Sequence, residues 1–264
     1  MSGKRAEHNA SCNTNDHPMR AEEGDNFNDA EATRRPKRDR PRIDSIKVVG
    51  ATKWLALETI EYTDVENKPR KWDMATRTTK TPGTPDCVVI IPLLRHFGQP
   101  NSPTETIIVE QFRIPVRTGT IEFPAGLIDA GESAEEAAIR ELQEETGYVG
   151  QRAKSFGSRE LASSPGMVNE TIKAVVVHVD LDDVRNQNPI SSPDEGEILV
   201  AKRVPLALGL TSVMESGSSM PISLLYFFSL GFELGSALSS GDQPATTESL
   251  VGTLQDEVGK PAGV

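Results

Sequence analysis

Hydrophobic and polar positions fall into short runs and alternations from residue 43 onward, and show no period before it. Residues 1–42 are rich in Asn, Asp, Glu and Arg. Such a segment buries too little apolar surface to offset its ordering entropy, so a disordered polar tail is expected there. Residues 45–49 read as a short strand, and residues 53–62 alternate well enough for a second. After a turn at residues 64–69, residues 70–79 read as its hairpin partner. Residues 87–94, Cys-Val-Val-Ile-Ile-Pro-Leu-Leu, are continuously apolar, which suits a strand buried on both faces. Residues 106–112 and 120–123 predict two more strands, and the Gly- and Pro-containing residues 98–103 a loop.

The helical period is clearest over residues 133–146. Ala134, Ala137 and Ala138 are good helix formers, Ala138, Ile139 and Leu142 make the apolar stripe, and Gly147 terminates it. Residues 171–179 and 198–204 predict strands. Helices are expected from Pro205 and from Pro221, each with its proline in the first turn. Residues 239–264 are again rich in Gly, Ser, Thr and Asp and predict a flexible tail. Mixed strands with few helices imply an α+β or three-layer α/β/α fold. The chain divides into the tail at 1–42, a small strand domain at 43–80, a main domain at 81–238 and the tail at 239–264.

Composition narrows the function. The 264 residues leave room for one sizeable domain or two small ones. With 36% hydrophobic and 25% charged residues, part of the chain is expected outside the core. A net charge of −11 argues against stable nucleic-acid binding. The two cysteines, Cys12 and Cys87, make neither a disulfide framework nor a zinc site, so a reducing compartment is the default. The longest apolar stretch, residues 221–238, carries Glu233, which hydrocarbon would penalise. It reads as a buried helix, and the protein as soluble, without membrane attachment and cytoplasmic. The basic cluster at residues 34–42 reads as a solvated linker, with nuclear import as its other meaning.

The chemistry concentrates in residues 126–148. They hold Gly126, five residues, Glu132, seven residues, then Arg140-Glu141-Leu142, Glu144-Glu145 and Gly147. On a helix Glu141, Glu144 and Glu145 fall at i, i+3 and i+4 and share a face, where like charges repel by a few tenths of a kcal/mol per pair. A hard divalent ion with oxygen ligands, such as Mg²⁺, removes that penalty. A solvated acidic helix face would account for the carboxylates, but for neither the Gly126 loop nor Arg140 and Gly147.

This spacing resembles the signature of the Nudix hydrolases, with Tyr148 in place of the usual final aliphatic residue. Gln111-Phe112-Arg113, the run Ile-Glu-Phe-Pro-Ala-Gly-Leu-Ile-Asp at residues 121–129, and Ser163-Ser164-Pro165-Gly166 resemble the eukaryotic ADP-ribose pyrophosphatase or ADP-sugar diphosphatase branch. The likeness runs from about residue 54 to residue 204. It implies the Nudix fold, a mixed β-sheet between helices with a small N-terminal β domain, and hydrolysis of ADP-ribose to AMP and ribose 5-phosphate. Mg²⁺ is the implied cofactor, with Mn²⁺ as the alternative.

By resemblance Glu141 and Glu145 are the principal metal ligands. The Ala125 carbonyl and Glu122 complete or support them, and Glu144 joins through a second ion or a water. Arg140 orients the carboxylates, and Arg113 holds the diphosphate. Trp54 and Trp72, the only tryptophans, sandwich adenine from opposite subunits of a homodimer, and Arg77 reaches the nucleotide; core packing is the other meaning of each tryptophan. The general base is Glu197, with Glu195 competing. Hydrolysis of another nucleotide, such as a dinucleoside polyphosphate, a CoA ester or a nucleoside triphosphate, and nucleotide sensing without cleavage remain as alternatives. Decapping of RNA is a third, disfavoured by the acidic charge.

Overall fold

The computed structural model describes residues 40–99, 101–154, 159–194, 196–207 and 209–240; Glu195 and the tail expectations for residues 1–39 and 241–264 lie outside them. Three strands come first: β1 (Arg42–Ala51), β2 (Leu55–Thr63) and β3 (Pro69–Arg77), an antiparallel meander. β1 begins at Arg42, three residues before the strand expected from residue 45. Asp64 closes the second turn by accepting the Glu66 and Lys68 N–H groups, both at 2.9 Å.

Register divides this small sheet into two unlike faces. Ile46 lies beside Ile60 and Trp72, and Val48 beside Glu58 and Met74. Because strand side chains alternate, Lys47, Thr59 and Asp73 project the other way, as do Ser45, Glu61 and Lys71. The polar face is cross-linked: Glu61 takes ion pairs from Lys47 at 3.0 Å and Lys71 at 3.2 Å. The apolar face is open, with Ile46 at 55% and Val48 at 62% exposure.

The second sheet is mixed. Its central strand, β4 (Cys87–Arg95), is antiparallel to β5 (Glu105–Arg113), which pairs with β6 (Thr118–Glu122). β7 (Ala125–Leu127) folds back antiparallel on β4. Then follow α1 (Ala134–Thr146), β8 (Gln151–Arg152), β9 (Glu160–Ala162) and β10 (Thr171–Asp180), which runs parallel to β4. β11 (Leu199–Pro205) is antiparallel to β5. The chain continues through α2 (Leu210–Ser216), β12 (Met220–Pro221), parallel to β6, and α3 (Ser223–Ser240).

β4 is apolar from Cys87 to Leu94 because helices cover it on both sides. Val88, Ile90 and Leu94 pack on Ala137, Ala138 and Leu142 of α1, whereas Val89, Ile91 and Leu93 meet Leu210 and Met214 of α2 and Leu225 of α3. The two sheets join where the Ala75 N–H donates to the Met167 carbonyl at 2.9 Å.

Both C-terminal proline assignments need correction. Pro205 ends β11 and Pro221 ends β12, while the helices start at Leu210 and Ser223. A proline is tolerated at a strand end, where the following residue supplies the donor. Here the Leu206 N–H bonds the Thr104 carbonyl and the Ile222 N–H the Ile121 carbonyl, each at 3.0 Å. α3 is buried on one face only, by Leu225 with Phe228 and Phe232, and Phe227 on the other face is 66% exposed. No described helix is long and apolar enough to cross a membrane.

Candidate active site

The carboxylates stand on α1, whose two ends are set by local chemistry. At the start the Ser133 hydroxyl accepts the Glu136 N–H and the Glu136 carboxylate accepts the Ser133 N–H, a complete capping box. At the end Gly147 adopts the left-handed region, φ 76°, and its N–H bonds the Gln143 carbonyl at 2.8 Å. Ala137, Ala138 and Leu142 bury the adjoining stripe, and Glu141 and Glu145 meet the loop beside it at Gly126 and Ala125.

Arg140 organises this acidic group. Its guanidinium is bidentate on Glu132, at 3.0 and 2.8 Å, and also donates to Glu141 at 2.8 Å, Glu144 at 3.0 Å and the Leu127 carbonyl at 3.0 Å. These partners, Glu132 foremost, drive the Arg140 pKa further up, so its charge is permanent. Its main anchor is Glu132.

Glu145 sits deeper, 4% exposed, and accepts the Ala125 N–H at 3.1 Å. Burial first, then the charges of Glu141 and Glu197, push its carboxyl up to about 8. Burial also raises Glu141, against the opposing pull of Arg140. Gly126 permits the closeness of loop and helix: a Cβ there would overlap the Glu141 carboxylate.

Glu122 and Arg113 form a pair of their own. The guanidinium is bidentate on the carboxylate, 2.7 Å at each contact, and the Thr120 hydroxyl adds a 2.6 Å bond. Glu122 is therefore turned towards Arg113 and Thr120, beside the Ala125 loop rather than among Glu141, Glu144 and Glu145. Glu197 is exposed. Extending the β11–β5 register two positions beyond Leu199–Gln111 brings it level with Arg113. Its charge raises Glu141 and Glu145 and supports Arg113.

Trp54, in the β1–β2 turn, and Trp72, on β3, are 59% and 48% exposed, so neither ring belongs to the core. Lys53 Nζ lies 4.2 Å from the Trp54 ring centroid. Arg77 pairs with Glu170 at 2.6 Å. It shares a cavity of about 260 Å³ with Thr79, Thr81, Asp86, Leu127 and Ile128, which joins the N-terminal sheet to the signature loop. Asp86 was not singled out by sequence. Its Oδ2 takes Lys80 at 2.5 Å and the Thr171 N–H at 2.8 Å, while the buried Oδ1 has no partner. An Asp preceding an apolar strand carries no pattern that would have revealed it.

Among the described residues no three His, Cys, Asp or Glu side chains already converge as a metal cluster. Arg140 draws Glu141 and Glu144 towards itself, and Ala125 holds Glu145. These bonds engage one oxygen of each carboxylate. The donor set is all oxygen, acidic, and under-compensated at Glu145, which fits a hard divalent cation. Glu141, Glu144, Glu145 and the Ala125 carbonyl would hold it.

Comparison with known proteins agrees with this geometry. Residues 88–215 match the NUDIX domain family. The chain is 38% identical to an ADP-ribose pyrophosphatase of Saccharomyces cerevisiae over 161 residues, 61% of this chain and 68% of that protein. It is 36% identical to an ADP-sugar pyrophosphatase of Mus musculus over 163 residues, 62% and 72% of the two chains. A Nudix hydrolase of Schizosaccharomyces pombe is 36% identical over 188 residues, 69% of this chain and 87% of that one. Among solved structures, an ADP compounds hydrolase superposes with a TM-score of 0.53 at 20% identity, covering 78% of this chain and 98% of its own, and so supports the fold. With the acidic helix, its arginine anchor and both signature glycines in place, the chain belongs to the Nudix hydrolase family.

Proposed function

We propose that the chain cleaves the diphosphate of ADP-ribose, and of related ADP-sugars, to AMP and a sugar phosphate. The observation that carries this is the α1 carboxylate group closed against the Ala125–Gly126 loop, in a chain whose yeast and mouse relatives are named for ADP-ribose and ADP-sugar cleavage. Members of the family use divalent cations; Mg²⁺ is the ion proposed here, with Mn²⁺ able to replace it. Bound at Glu141, Glu144 and Glu145, the ion would neutralise the diphosphate and favour deprotonation of the attacking water.

The chain's own groups supply the remainder. Arg113 offers a planar cation to the diphosphate, matched in shape to its oxygens. Glu197 faces the same space and takes the proton from water as general base. Trp54 and Trp72 present flat, accessible rings that suit adenine. An adenine site made from both rings uses a homodimer, and the uncovered apolar face of β1–β3 supports that assembly. Exposed apolar patches of this kind mark association sites.

Release of AMP from ADP-ribose with and without Mg²⁺ tests the reading, beside ADP-glucose, diadenosine polyphosphate and nucleoside triphosphates. Metal-dependent AMP formation from ADP-ribose, lost in Glu145→Gln, is the expected result. Preferred turnover of a triphosphate or polyphosphate would refute the substrate assignment. Binding of ADP-ribose without turnover of any compound would refute the enzymatic one.

A further inference from the structure

Between β10 and β11 the chain runs back along the end of α1 and touches it at three successive points. Asn186, 3% exposed, accepts the Val149 N–H at 2.8 Å and donates to the carbonyls of Val149 and Asp180, both at 2.9 Å. The Ile190 backbone then lies against Gly147, where any Cβ would overlap it. Finally the Ser192 N–H donates to the Glu144 carbonyl at 2.8 Å. As the segment advances from 186 to 190 to 192, its partner recedes from 149 to 147 to 144. The segment therefore tracks the helix end in the opposite direction, towards the carboxylates.

The last four carbonyls of a helix lack intrahelical partners. α1 gives its Gln143 carbonyl to Gly147 and its Glu144 carbonyl to this passing segment. Ser192 on one side and Leu199 of β11 on the other then bracket a short bridge that contains Glu197. Fixing both ends of a short bridge removes most positions its side chains could otherwise visit.

We infer that this latch, made of the Ser192 N–H, the Glu144 carbonyl and the bare Gly147 backbone, is the positioning device that holds Glu197 at the site. It ties the proposed base to the same helical turn that carries the metal-binding carboxylates. The inference rests on the role assigned to Glu197 above. It also gives Gly147 a second duty: a left-handed helix end accepts Asn as well as Gly, but the seat for Ile190 admits no Cβ.

The test measures kcat and KM for ADP-ribose in Mg²⁺ with Ser192→Pro, which deletes the N–H, and Ser192→Ala, which keeps it. Gly147→Asn, Glu197→Gln and the Ser192→Pro/Glu197→Gln double variant complete the set. Loss of one well-placed hydrogen bond is expected to lower kcat about tenfold in Ser192→Pro with KM nearly unchanged, and Ser192→Ala to restore it. Gly147→Asn is expected to behave like Ser192→Pro. The decisive reading is non-additivity: Glu197→Gln should cost several-fold less in the Ser192→Pro background than in the parent. Fully multiplicative losses, or parental kcat in Gly147→Asn, would overturn the latch while leaving Glu197 as the base. Parental activity in Glu197→Gln alone would overturn the base assignment, and the latch with it.

Discussion

Replacing Arg140 with Ala should destabilise the protein more than any other single surface-accessible substitution around the site. The guanidinium is 31% exposed and serves three carboxylates whose side chains are 16%, 13% and 35% exposed, those of Glu132, Glu141 and Glu144. Breaking a buried ion pair costs about 3–5 kcal/mol because the orphaned charge stays behind. Partial exposure screens the interaction and pulls the figure down, so a loss of about 3 kcal/mol is expected in metal-free protein. For a folded region of this size that is about 6–12 °C in Tm. Arg140→Lys should recover less than half, since a point charge cannot serve Glu132 in bidentate fashion and reach Glu141 as well. Thermal unfolding in EDTA measures all three. Adding Glu132→Gln to Arg140→Ala should restore about 1 kcal/mol by removing one orphan, and Mg²⁺ should stabilise Arg140→Ala more than the parent. A loss below about 0.5 kcal/mol, typical of an exposed pair, would refute the idea that one arginine neutralises the acidic face.

Three further outcomes follow from the geometry. Glu145, held up at about 8 against an ordinary 4.5 by burial, favours its protonated form in the folded state. Its contribution to stability is complete below about pH 4.5 and is lost as pH rises through about 8; Tm in EDTA should therefore fall over that range, with a slope that Glu145→Gln flattens. If the slope persists unchanged in the variant, another group causes it. Gly126→Ala should leave Tm within a few degrees, because the flexible Glu141 carboxylate can move aside, yet lower metal-dependent turnover by about 10–100-fold as that carboxylate is displaced. Intact turnover would show that Glu141 is not a ligand. Val48→Glu places a charge on the open apolar face of the small sheet; light scattering should report a dimer for the parent, as proposed, and a monomer for the variant, and an unchanged dimer mass would move the interface elsewhere.

The parts of this protein that a linear reading reveals are those whose cause is local. α1 was legible because its cap, its alanine-rich stripe and its glycine stop all lie within 15 residues of sequence, as Ser133, Ala134–Thr146 and Gly147. β4 was legible because a strand covered on both faces has nowhere to put a polar side chain. Pro205 and Pro221 misled for the same local reason: proline fits a first helical turn and a strand end equally well, and only the pairing partners Glu105 and Ile121 decide. Contacts closed over long stretches left no pattern at all. The Arg77–Glu170 pair spans 93 residues and the Asp86–Thr171 bond 85.

Glu122 shows where motif position and folded geometry part company. Its place before Pro124 and Ala125 suggested support for a metal, but the β5–β6 hairpin brings Arg113 to its carboxylate first. The site as folded is thus internally paired, with Arg140 set against Glu132, Glu141 and Glu144, and Arg113 against Glu122. Glu122 takes two of the five Arg113 N–H groups and leaves the others for a diphosphate, while Arg140 takes one oxygen each of Glu141 and Glu144 and leaves the second for a cation. In the proposed function, substrate and cation would then add to ion pairs already formed rather than break them. Most of the desolvation incurred on folding is kept in that case, which would let so acidic a pocket accept a doubly anionic substrate once its cation is in place.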